Sequence, residues 1–160
     1  MGQAEWRLLH VLAVVLFLGN LVTGLFWAAH ANRTRDPRLI GHAFAGIRRA
    51  DSWFTLPGAV GIVVGGVAVA IRLELDVLAT GWVLWGVGLF GIGLVVLVTV
   101  RARLQKDIAE ELAGLDDGGD VAWGEHELLY GYWRTWTLIA IVAPLLAVLL
   151  MVYRPPLPGF

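Results

Sequence analysis

The side chains with the strongest claim on cofactor chemistry are the four histidines and the methionines, because the chain has no cysteine. That removes disulfides, thiolate metal sites and thiol redox chemistry. His10 lies inside a long apolar run. Polar groups are expensive in hydrocarbon, so a histidine in such a run is a functional candidate by position alone. At a helical 100° per residue, His10 shares a face with Ala13, Phe17, Asn20, Gly24 and Ala28. A stripe of small and polar residues points into a bundle rather than at lipid. Two readings of the imidazole stay open. In one, it is bonded to a lipid headgroup or to a carbonyl of another helix. In the other, it is an axial ligand of a haem, such as haem b, or a metal ligand, since neutral imidazole serves commonly in both roles. The only sulfur expected near that depth is Met151, at the end of the last apolar run. A haem on His10 would then be five-coordinate or weakly His/Met-ligated, and a bis-histidine haem would need a second chain.

The other histidines, His30, His42 and His126, fall near the opposite face. His10 and His30 are 20 residues apart, about 30 Å along a helix, so they cannot share a small ligand. His30, His42 and His126 could converge and bind a divalent metal through neutral imidazoles, or could be three separate interfacial side chains. Asp51 follows Arg48 and Arg49, which suggests either a helix cap or a pair with one of those arginines. Arg72 and Arg134 stand at the ends of apolar runs, where snorkelling accounts for them. The sequence offers no Ser-His-Asp arrangement, phosphate loop or paired buried carboxylate. Hydrolysis and phosphoryl transfer are therefore unsupported.

The elements that must position these residues are set by composition. Of 160 residues, 58% are hydrophobic and 16% charged, and the net charge is −1. The mean hydropathy is +0.73. A soluble domain carries roughly 25% charged residues, so the chain reads as one integral membrane domain. Nucleic-acid binding is not supported, because acids offset the Lys and Arg and no basic run occurs. Four apolar runs cover about 6–29, 52–71, 81–100 and 135–153. Each has the ~20 residues a helix needs to cross ~30 Å of hydrocarbon. Barrel strands would alternate in polarity, and these runs do not. The first is too long for a signal-peptide h-region, and Phe26, Trp27 and His30 stand where a cleavage site would be. The expected fold is all-α: a four-helix transmembrane bundle with a short interfacial amphipathic helix between helices one and two.

That short helix is read from Asp36-Pro37, an N-cap followed by proline at the first helical position. Leu39, Ile40, Ala43, Phe44 and Ile47 then recur at helical spacing, with Arg38, Arg48 and Arg49 able to reach headgroups. The run Asp116–Asp120 reads as a solvated turn between two helix extensions. Arg33, Arg35, Arg38, Arg48, Arg49, Arg101, Arg103, Lys106 and Arg134 fall on one side, and Arg7, Arg72 and Arg154 on the other. The positive-inside rule then puts both termini outside and both longer loops in the cytoplasm. Trp6, Trp27, Trp53, Trp82, Trp85, Trp133 and Trp136 sit at span ends, as an aromatic belt would. Gly61-x-x-x-Gly65 gives the second span a close-approach face. Gly86, Gly88, Gly91 and Gly93 suggest that the third span has neighbours on two sides. Pro144 should kink the fourth.

The string Leu9-His10, Gly19-Asn20 and Arg48-Arg49-Ala50-Asp51-Ser52-Trp53-Phe54-Thr55-Leu56-Pro57-Gly58 resembles an uncharacterised bacterial integral-membrane family, domain-of-unknown-function family 2269. The resemblance covers essentially the whole chain, down to Arg154-Pro155, and brings no activity with it. More distantly, the chain resembles the oxygen-independent, haem-binding membrane protoporphyrinogen oxidases. His10, Gly19 and His30 match that family's first helix, Arg48 through Pro57 its basic stretch, and Gly81-Trp82 the opening of its third helix. That family has a Lys in helix three, where this chain has apolar residues and Gly86. It has Asn-Glu-Pro in its last helix, where this chain has Thr135-Trp136-Thr137. The resemblance implies a shared fold and a tetrapyrrole site at His10, not the oxidase activity.

Three functions follow as expectations for a multi-pass inner-membrane protein. One is haem or tetrapyrrole binding through His10. Another is a non-catalytic accessory subunit of a larger membrane complex, or a homo-oligomer, built on the glycine-rich faces. The third is metal handling or transport, for which four helices are few and no midplane charge is evident.

Overall fold

The computed structural model describes residues 2–113 and 122–160, and the acidic Asp116–Asp120 turn lies outside them. The helices are α1 (Gln3–Thr34), α2 (Pro37–Ala50), α3 (Leu56–Arg72), α4 (Gly81–Val96), α5 (Ala102–Ala113) and α6 (Trp123–Tyr153). Two five-residue π-helical segments, Asp51–Thr55 and Leu97–Arg101, join α2 to α3 and α4 to α5. The outcome is four long helices, Gln3–Thr34, Pro37–Arg72, Gly81–Leu112 and Trp123–Tyr153, each apolar and long enough to span a membrane. Each of the four expected apolar runs falls within one of these helices, which have 31 to 36 residues. A helix of that length runs on the order of 50 Å, well beyond ~30 Å of hydrocarbon.

The excess length lies at one end. Phe17 of α1 meets Phe90 of α4 with ring centroids 5.7 Å apart, and both fall midway along their apolar runs. On one side of this layer α1 packs chiefly on α3, and α4 chiefly on α6. On the other side α1, α2, α5 and α6 share a second core, in which Ala28, Ile40, Phe44, Ile108, Tyr130 and Trp133 are buried. α2 and α5 are amphipathic, and α1 and α4 are apolar all round. That is the difference between helices facing water and helices facing lipid. The molecule is thus a membrane bundle continued by a four-helix extension at its basic end.

Glycine fixes both membrane pairs. A Cβ at Gly65 would lie 3.0 Å from the His10 Cα, and one at Gly61 2.8 Å from the Ala13 Cβ. The expected Gly61–Gly65 face is therefore the α1 contact. In the other pair Gly93 receives the Pro144 ring, and Gly86 receives Met151. α6 runs unbroken through Pro144. α4 meets α6 and, through Phe90, α1, but not through Gly88 and Gly91: around them no described atom falls within 4 Å of a Cβ position.

Two expectations about the basic end change. The helix after Asp36-Pro37 forms as anticipated, with Asp36 accepting from the backbone N–H of Arg38 at 2.9 Å. Its apolar face, however, packs on α1, α5 and Trp133 of α6 rather than lying on lipid. Trp133 is not part of a belt. It is fully buried, edge-on to Phe44 at 5.0 Å and stacked on Tyr130 at 6.1 Å. Trp27, Trp53 and Trp85 are exposed, as belt residues are. At the other end the C-terminal tail lies over the α3–α4 connection. There the Phe160 N–H donates to the Leu78 carbonyl, and Arg154 stacks on Trp82.

Candidate functional site

His10 is half-buried in the α1–α3 seam, and its Nδ1 lies 2.9 Å from the Ile62 carbonyl oxygen. A carbonyl can only accept, so Nδ1 carries the proton. Nε2 is the ring nitrogen that this contact leaves for a ligand. Gly65 and Gly66 make room: the imidazole Cε1 lies 3.2 Å from where a Gly66 Cβ would be. Of the stripe predicted to face the bundle, Ala13, Phe17, Gly24 and Ala28 are buried and Asn20 is partly so. An N–H fixed on a backbone carbonyl is the arrangement that orients metal-bound histidines. Met151 is engaged in the α4–α6 seam, with its methyl on Gly86.

A second polar cluster stands where the membrane bundle meets the extension. Asp51 neither caps a helix nor pairs with Arg48 or Arg49. Its Oδ2 accepts from Arg101 Nη1 at 2.7 Å, joining the two π-helical segments. Arg101 is only 2% exposed and Asp51 19%. Asn20 donates to Thr55 at 2.7 Å and to Asp51 at 3.2 Å, and the Thr55 hydroxyl donates to Asp51 at 3.0 Å. On the far side Arg101 Nε donates to Thr137, which donates to the Trp133 carbonyl, and the guanidinium lies 5.3 Å over the Trp133 ring. From the Phe17–Phe90 layer Asn20 and Thr55 are ~5 Å along the helices, and Asp51 and Arg101 roughly 10–16 Å, about half the hydrocarbon thickness. The charges therefore sit at the hydrocarbon edge. Each π turn adds a residue to its helix, and such bulges recur at functional positions. The sequence reading counted Arg101 among the loop cations. The available signal was that Asp51 and Arg101 are the first charges met at the same end of two spans.

The inner histidines divide. His30 and His42 both line a cleft of about 500 Å³ between α1 and α2. Its walls include Trp27, Gly24, Leu39 and Gly46, and Asn20 lies at its membrane end. His126 does not join them. It is fully buried between Glu111, 3.0 Å from Nδ1, and Asn32, whose Oδ1 is 2.8 Å from Nε2. These two contacts make His126 a clamp between α1, α5 and α6. Among the described residues no group of three His, Asp or Glu side chains is arranged to hold a metal.

Four apolar helices, two glycine-packed seams and a charge pair at the hydrocarbon edge define an all-α integral membrane protein. Residues 6–155 match the family described as Predicted integral membrane protein (DUF2269), and the chain belongs to that family. Comparison with curated proteins and with solved structures gives no match.

Proposed function

We propose that this protein binds a haem or related tetrapyrrole in the membrane, with His10 as its axial ligand. The observation that carries the reading is the His10 Nδ1 contact with the Ile62 carbonyl, which engages Nδ1 and leaves Nε2 as the nitrogen that would take the iron. Among the described residues Nε2 has no hydrogen-bond partner. Met151 has its methyl against Gly86 in the α4–α6 seam, so His10 is the ligand we assign among the described residues, and the iron would be five-coordinate. A five-coordinate haem supplies an open axial position. The chain's own part is to fix the imidazole through Ile62 and to keep Gly65 and Gly66 clear of the ring. The test is a haemin titration of the purified protein in mild detergent. A saturable Soret shift with one site per chain is expected, lost in His10→Ala and kept in His30→Ala. Equal titrations for the parent and His10→Ala would overturn the assignment.

A second reading, an accessory subunit of an inner-membrane complex, draws on the open space around Gly88 and Gly91 of α4. Small residues let another helix approach closely in lipid. Stoichiometric co-purification of a second chain, lost in Gly88→Leu, is the result this reading expects.

A further inference from the structure

We propose that the α1–α2 cleft is a binding site for one anionic phospholipid. Its position is the first argument. The cleft begins at Asn20, which donates to Asp51, and extends to Thr34. That is ~21 Å along α1. It starts one turn, ~5 Å, beyond the Phe17 layer, inside the hydrocarbon, and crosses the headgroup layer, which is on the order of 5–8 Å deep. Its volume of about 500 Å³ falls within the ~300–1,000 Å³ of small-molecule sites.

Its chemistry is the second argument. The floor is small and apolar, with Gly24, Ala43, Gly46 and Ala50, and exposed Trp27 and Leu39 stand at the rim. Indole at headgroup depth is a lipid-contacting side chain. Polar groups are placed at intervals: Thr23 near the membrane, then His30 and His42 further out. Such a lining suits the glycerol and upper acyl chains below and a phosphate above.

Charge supplies the third argument. α2 carries Arg38, Arg48 and Arg49, all exposed, and no acid within Pro37–Ala50. Arg38 is one turn before His42, and Arg49 is one turn after Gly46, so both flank the cleft face. The ion pairs among the described residues involve Arg35, Arg101, Lys106 and His126, and none of these three arginines. A basic, amphipathic wall at headgroup level selects for anionic lipid. This site shares no residue with the His10 site, so either can fail without the other.

Native mass spectrometry of the protein in mild detergent, with equimolar phosphatidylglycerol and phosphatidylcholine of matched chains, tests the proposal. One phosphatidylglycerol should be retained per chain, with roughly fivefold preference for each arginine engaged. Gly46→Leu should abolish retention, because a side chain there enters the cleft without meeting a described atom within 4 Å. Gly131→Leu, equally open but on α6, should leave it intact. Arg38→Gln with Arg49→Gln should bring the lipid ratio toward one while the unfolding midpoint holds. These two substitutions at exposed positions decide the matter even if Gly46→Leu fails to fold. Equal retention of the two lipids by the parent, an unchanged ratio in the double variant, or full retention by folded Gly46→Leu would each overturn the proposal.

Discussion

Replacing Asp51 by Asn removes the counter-charge of a guanidinium that is 98% withdrawn from solvent. Arg101 then has no anionic partner among the described residues, keeping Thr137 and the Trp133 ring beside it, and its Nη2 already has no partner among them. Breaking a buried pair on one side costs about 3–5 kcal/mol, because the remaining charge is stranded. Exposed pairs are worth about 0–1 kcal/mol. The Arg35–Glu127 pair, with side chains 63% and 54% exposed, is the internal control. Asp51→Asn should therefore lose several times more stability than Glu127→Gln. The assay is reversible unfolding by a denaturing detergent in mixed micelles, followed by helical circular dichroism. The double variant Asp51→Leu with Arg101→Met should recover most of the loss, since apolar replacement of both partners is often neutral or better. Loss below about 1 kcal/mol for Asp51→Asn would show that the pair is solvated and that the junction is not where the geometry puts it.

Three further outcomes follow from the packing. Gly65→Leu should cost ~1–3 kcal/mol or more by overpacking, since its Cβ would meet the His10 backbone at 3.0 Å, while Gly88→Leu should be silent; the unfolding midpoint in detergent reads both. Phe44→Ala should cost about 3–5 kcal/mol, because the extension has a genuine core and Phe44 is fully buried on Trp133; an interfacial helix lying on lipid would tolerate the change. Reporter fusions at the C-terminus should be active only outside the cytoplasm, from the nine-to-three distribution of Lys and Arg, and a cytoplasmic signal there would reverse the orientation.

The four spans were legible because a run of apolar residues long enough to cross a bilayer has few other uses. The α1 stripe from Ala13 to Ala28 and the Gly61–Gly65 face were legible for a related reason: without a hydrophobic force between helices, small residues mark contact. What covers an apolar face is not written in its periodicity. The face of α2 fits lipid and protein equally well, and only the complementary face of α5, some 60 residues on, decides between them. Trp133 misled for the same reason, since a span end is also where the extension begins. Gly88 and Gly91 show the reverse error, in that small residues permit contact without requiring a neighbour in the same chain. The Asp51–Arg101 pair was missed because nearby Arg48 and Arg49 offered a local partner, whereas the actual partner lies 50 residues on, in the second π-helical segment. For the candidate site, His10 and its stripe were readable. The Ile62 carbonyl that engages its Nδ1 was not, because backbone acceptors carry no sequence signal.

The absorption spectrum of the protein purified in mild detergent from haem-replete cells tests the central reading most directly. One tetrapyrrole per chain with a high-spin, five-coordinate Soret spectrum, lost in His10→Ala at unchanged helix content, is the predicted result. A purified, folded protein with no Soret band, or one whose band survives His10→Ala, would contradict it.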